Sequence, residues 1–284
     1  MKLCRHGKIG SEKPGMIDGD GRLRDLSGIV GNIGPDEISP SSLRKLSRVK
    51  PETLPLVSGS PRLGVPYTGI GKFVAIGLNY SDHAREAGLP LPSEPVVFLK
   101  AITCVSGPND DVIQPRTSTK LDWEVELAAV IGTRARYVTE AQALDHVAGY
   151  CIVNDVSERA FQMATSQWDK GKGFDTAGPI GPWLVTSDEI RDPQSLDMAL
   201  DVNGKRMQSG NTRTMVFSVA KIISHLSEYM TLLPGDIIAT GTPPGVGLGM
   251  KPTPVFLKPG DELRLTIEGL GEQRQKVIAD QRHD

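Results

Sequence analysis

Apolar residues along this chain come in short runs broken by glycine and proline rather than in long helical stripes. Short apolar runs bounded by turn residues predict strands. Residues 73–77, 96–99, 123–131 and 150–154 read as strands of the buried type. Residues 236–239 and 262–267 read as late strands, each entered through Pro-Gly-Asp. Residues 197–203 and 205–208 form a hairpin through Asn203-Gly204, a turn pair suited to positive φ. Helical spacing is clearest over 216–229, where Val219, Ile222, Ile223 and Leu226 share a face. Residues 79–88, closed by Gly88, and 157–165 are the other helical candidates. At 139–146, Thr139 and Gln142 spell a capping box.

The pattern changes near residue 70. Before it, residues 15–23 read as a hairpin with Asp-Gly turn chemistry, and Leu43 and Leu46 mark a short helix. Pro51, Pro55, Pro61 and Pro66 then mark a linker. The expected organisation is a small N-terminal α+β domain, residues 1–70, followed by a larger catalytic domain, residues 71–284. The fold class is α+β, mostly β.

Composition narrows the partners. A net charge of -2 gives no electrostatic case for nucleic acid or an anionic membrane. No apolar run approaches the ~18 residues of a membrane span, and the N-terminus lacks a signal-peptide core. Three scattered cysteines without a CxxC read as reduced thiols, which suggests a cytoplasmic protein.

Candidate chemistry centres on Asp122-Trp123-Glu124-Val125-Glu126-Leu127. On a strand, Glu124 and Glu126 point from one face and Val125 and Leu127 from the other. Two like charges on one face call for a cation or for solvent, and the apolar flanks favour a hard divalent ion. A solvated strand edge is the plain alternative. Asp155 ends the strand at 150–154 and either caps the next helix or serves as a third ligand. Arg159 and Gln162 follow at helical spacing; the arginine is either a solvated charge or a partner for a carboxylate.

His83 and Glu86 lie three apart on one predicted helix face, so the carboxylate can hold the imidazole as a general base. The alternative is a surface pair. Lys172, between Gly171 and Gly173, is free to reach a cleft as an electrophilic group or belongs to a flexible surface loop. The glycine-paved turn around Thr242 offers amides and a hydroxyl to an anionic oxygen, or is simply a tight loop. Zinc-protease, nucleophile-elbow and phosphate-loop patterns are absent.

Five segments in order, at residues 77–86, 122–127, 154–159, 172–182 and 235–243, resemble the fumarylacetoacetate hydrolase family. The likeness is specific across 70–270 and looser before it. It implies a β-roll catalytic domain, a bound Mg2+ (or Mn2+ or Ca2+) and a homodimer. By matched position, Glu124, Glu126 and Asp155 would hold the metal, and His83 with Glu86 would activate water. Lys172 would stabilise oxyanion charge, while Arg159, Gln162 and Thr242 would touch substrate. No further acidic ligand is identifiable, so water or substrate would complete the metal's shell.

The resemblance further implies a small anionic oxo acid as substrate. The expected reaction is metal-assisted C–C hydrolysis of a 2,4-dioxo acid, such as a 2,4-diketo-3-deoxy sugar acid, to pyruvate and a shorter acid. Similar sequences also carry the label ureidoglycolate lyase, and oxaloacetate-type decarboxylation and isomerisation are other family activities. Outside enzymes, the same carboxylates would suit a structural cation-binding module.

Overall fold

The computed structural model describes residues 1–88 and 90–281, without the side chains of residues 83, 84 and 87. Strands dominate, as the short apolar runs predict. The N-terminal segment supplies β1 (Lys2–His6), β2 (Lys13–Ile17), β3 (Leu23–Asp25) and α1 (Pro40–Leu46). Next come β4 (Phe73–Gly77), α2 (Ser81–Ala87) and β5 (Val96–Lys100), then the short β6 (Val105–Ser106), β7 (Val112–Gln114) and β8 (Leu121–Asp122). The centre of the chain contributes β9 (Val125–Ile131), α3 (Glu140–Ala143) and β10 (Val147–Asn154). After these lie β11 (Ser157–Glu158), α4 (Arg159–Gln162), α5 (Asp169–Lys172) and β12 (Gly178–Thr186). The chain closes with β13 (Asp197–Val202), β14 (Lys205–Asn211), α6 (Val219–Tyr229), β15 (Ile237–Ala239), β16 (Glu262–Ile267) and β17 (Gly271–Ala279).

Among the described residues, a ten-stranded sheet runs in the order β3-β2-β1-β12-β10-β9-β15-β4-β5, with β6 beside β12. A five-stranded sheet, β14-β13-β16-β17-β7, packs against it. Every residue of β9 and β10 is buried, which explains why both are mostly apolar. The amphipathic helix α6 starts at Val219, three residues later than its pattern suggests, because Ser218 caps it by accepting from Lys221 N.

The N-terminal strands continue the main sheet. β1 pairs with β12, setting Leu3 opposite Leu184. Leu3, Met16, Leu26, Ile33 and Ile38 lie in the same buried cluster as β9 and β10. The proline-rich stretch is tied down at both ends, with Leu56 bridging Arg24 and Leu63 bridging His6. Arg62 also donates from Nε to Asp110 Oδ1 at 2.6 Å.

Two local expectations change. The strand expected over 123–131 begins at Val125, because Val125 N donates to the Gln208 side chain at 2.9 Å and Glu124 N to Asn154 Oδ1 at 3.2 Å. Side-chain acceptors thus satisfy both amides at the start of the strand. The helix expected over 157–165 is instead β11 followed by the short α4, because Ser157 pairs with Asp122 and Glu158 with Leu121. Cys4, Cys104 and Cys151 are buried and unpaired. Among the described residues, no helix is long and apolar enough to cross a membrane.

Candidate active site

The antiparallel register of β9 and β10 builds the site. Val125 lies opposite Asn154 and Glu126 opposite Val153, so the start of one strand meets the end of the other. Asp155, one step past β10, donates its N–H to the Glu124 carbonyl at 2.9 Å. Two stretches about thirty residues apart therefore present Glu124, Glu126 and Asp155 together. One carboxylate oxygen from each lies within 4.8 Å of the others, and all three residues are buried.

Like charges this close in a dry site need compensation. Lys172 Nζ lies 2.8 Å from Glu124 Oε2 and 2.7 Å from Asp155 Oδ2. Arg159 reaches Glu124 Oε1 through Nη2 at 2.6 Å and Asp122 Oδ2 through Nε at 2.8 Å. Its Nη1 donates to Gln162 Oε1 at 3.0 Å. Burial alone would raise the Glu124 carboxyl, but Lys172 and Arg159 outweigh it and hold it down at about 2. Burial would lower Lys172, yet Asp155 and Glu124 keep its ammonium above the ordinary lysine range.

Glu126 is different. Among the described residues it has no ion pair and accepts a single hydrogen bond, from Gly241 N at 2.8 Å. Burial, then Asp155 and Glu124, push its carboxyl well above the ordinary range. A dry carboxylate short of a cation, beside two others and with only hard oxygen donors in the cluster, fits a divalent ion such as Mg2+ or Mn2+. Ca2+ shares the same donor chemistry.

The remaining predicted residues fall around this cluster. Lys172 is not in a loop: it ends α5 and is 2 % exposed, pinned by its two carboxylates. Gly171 lets α5 lie against α4, where a Cβ would meet Gln162 N at 2.4 Å. Asp155 does not cap the following helix; Glu158 does, accepting from Phe161 N. Thr242 donates its hydroxyl to Val125 O at 2.9 Å and accepts from Gln208 Nε2 at 2.8 Å, so it braces β9 while lining the cavity. The glycine-paved turn spends its Gly241 amide on Glu126, at a φ of 98° where a Cβ would also strike Asn79. Glu86 lines the same cavity and accepts from Gly245 N at 3.2 Å. The His83 side chain, predicted as the partner of Glu86, lies outside the described residues.

Two contributors were missed in the sequence. Lys100 ends β5 with 2 % exposure, and its Nζ bonds Asp155 Oδ1 at 2.5 Å and the Lys172 carbonyl. The available signal was alternation, since Val97 and Leu99 face out and put Lys100 on the inward face with Phe98. Asp122, fully buried, takes the Arg159 guanidinium on one side and the amides of Gly247 and Leu248 on the other. It opens the same acidic run but serves as an anchor.

Residues 72–278 match the C-terminal domain of fumarylacetoacetate hydrolase. The chain belongs to the fumarylacetoacetate hydrolase family. Relatives from Burkholderia ambifaria and Burkholderia multivorans are 60% and 61% identical over 98% of this chain and 99% of their own. Their names stop provisionally at hydrolase, with no substrate. A fumarylacetoacetate hydrolase from Exiguobacterium antarcticum superposes with a TM-score of 0.87 at 36% identity, covering 98% of this chain and 99% of that one. A maleylpyruvate hydrolase from Sphingobium sp. SYK-6, solved with manganese and pyruvate, gives 0.82 at 31% identity over 99% and 100%. A 2-hydroxyhepta-2,4-diene-1,7-dioate isomerase from Mycobacterium marinum gives 0.74 at 33% over the same shares. Members of this family are hydrolases and isomerases, and the chain shares their mostly β fold.

Proposed function

We propose that this protein hydrolyses a C–C bond in a 2,4-dioxo acid, releasing pyruvate and a shorter carboxylic acid. The observation that carries the reading is the convergence of Glu124, Glu126 and Asp155, with Lys172 between two of them, where Glu124, Glu126 and Lys172 line one cavity of about 360 Å³. The manganese and pyruvate bound by the Sphingobium relative support both the metal and the product.

Glu124, Glu126 and Asp155 would hold the ion. Once bound, it supplies Lewis-acid polarisation of neighbouring substrate oxygens. His83, oriented by Glu86, takes a proton from the water that adds to the C4 carbonyl. The C3–C4 bond then breaks, its electron pair passing to C3, and a proton returned to C3 completes pyruvate. The other fragment leaves as the carboxylic acid. Lys172 stabilises negative charge as it develops on the departing three-carbon unit. Arg159 keeps Glu124 ionised and fixed, and Gln162 completes that wall.

Isomerisation is the second reading, favoured by relatives named as isomerases. It uses the same oxo-acid head but no water. Incubation of the Mg2+- or Mn2+-loaded protein with 2,4-dioxo acids, assayed for pyruvate, separates the two. Stoichiometric pyruvate is expected, with loss of both turnover and metal binding in Glu124→Ala. Enol–keto conversion without pyruvate, or full turnover in that variant, would refute the hydrolase reading.

A further inference from the structure

We infer that the site selects substrates whose tail, beyond the oxo-acid head, is apolar carbon rather than a polyhydroxylated chain. The inference rests on the proposed binding of the head at Glu124, Glu126 and Asp155. Among the described residues, the polar groups of the cavity gather at that end, and several are already committed to one another. Arg159 spends three of its five donors on Asp122, Glu124 and Gln162, and the Thr242 hydroxyl is used in both directions.

The wall leading away is aromatic and aliphatic. Lys172 Nζ sits 5.3 Å from the Phe98 ring centroid, and Phe98 meets Trp168 edge-on with centroids 5.3 Å apart at 63°. Trp168 lies so tightly over β4 that a Cβ on Gly77 would come within 2.6 Å of its ring, so glycine is needed there to seat the indole. Leu78, Met163 and Leu248 line the same cavity. Met163 is 70 % exposed and Leu248 43 % exposed, large apolar side chains left in water at the rim of a binding cavity. Among the described residues, Glu86 and Lys251 are the charged ones of this outer part, and Glu86 already accepts from Gly245 N. A chain of hydroxyl-bearing carbons would set most of its hydroxyls against rings and methyls without partners. An alkyl or alkenyl chain would instead cover Trp168, Met163 and Leu248.

The test pairs 2,4-dioxo acids of equal length with alkyl or polyhydroxyalkyl tails on the Mn2+-loaded protein. Two quantities are read: kcat/KM from pyruvate release, and the Kd of the corresponding 2-oxo acids by calorimetry. The alkyl tail is expected to win by at least about 30-fold in kcat/KM, with tighter binding in the same direction. Equal or reversed preference overturns the inference even if cleavage proceeds. Tighter alkyl binding without cleavage of any dioxo acid sustains it while removing the hydrolase reading. Trp168→Ala should narrow the ratio by about fivefold. Should that variant fold poorly, the rim variant Leu248→Asn serves in its place, and an unchanged ratio there counts against the assignment.

Discussion

The two ends of the cavity are held together by different physics. At the inner end, Glu124, Asp155, Lys172, Lys100 and Arg159 form a dry, mutually bonded set in which each charge needs the others. At the outer end, Met163 and Leu248 stand exposed to solvent with apolar surface uncovered. The inner end is expensive to disturb because removing one partner strands a buried charge. The outer end is cheap to change because little folded-state energy depends on it. A family that keeps one head chemistry while varying its substrates would be built in this way, with reaction and specificity on separable surfaces.

The sharpest way to break this contrast is Lys100→Met. Asp155 would keep Lys172 but lose its second cation, at a cost of about 3 kcal/mol and a Tm fall of roughly 6–12 °C in the metal-free protein. Added Mn2+ should restore part of that loss, since it replaces the missing positive charge. Differential scanning calorimetry with and without metal reads both effects, and an unchanged Tm would show that charge does not hold the inner end together.

Glu126→Gln moves stability the other way. The Glu126 carboxyl is raised above its ordinary 4.5 in the folded state. Its contribution is therefore fully present below that pH and is lost as pH rises through the raised range. At pH 8 the metal-free variant should melt higher than the parent, by about 1 kcal/mol or 2–4 °C, while losing the Tm gain that Mn2+ confers on the parent. Mn2+ affinity of the parent should rise with pH over the same range, because binding displaces the Glu126 proton. A calorimetric titration in buffers of different ionisation heat detects that proton; its absence would contradict the raised carboxyl.

Met163→Ser is the smallest change. With the side chain mostly in solvent, stability should move by less than about 0.5 kcal/mol. A larger shift would mean that the rim supports the fold after all.

The late strands and α6 were readable from periodicity, because turn pairs such as Asn203-Gly204 and the Val219–Leu226 stripe act locally. Glu124 and Glu126 were readable as a pair for the same reason, two side chains on neighbouring inward positions. The helix expected at 157–165 failed because Ser157 and Glu158 found strand partners in Leu121 and Asp122, a pairing that no window of sequence contains. For Lys172 the glycine neighbours left a cleft-reaching cation and a flexible surface loop both open, whereas two buried carboxylates decide where it sits.

By itself, then, the order of residues determined several of the strands, the acidic run and the family. Tertiary structure decided which carboxylate stays charged, which amide or lysine answers it, and that Asp122 anchors while Asp155 joins the cluster. The reason is that propensity and spacing act over a few residues, whereas charge compensation in a dry interior depends on register between strands distant along the chain.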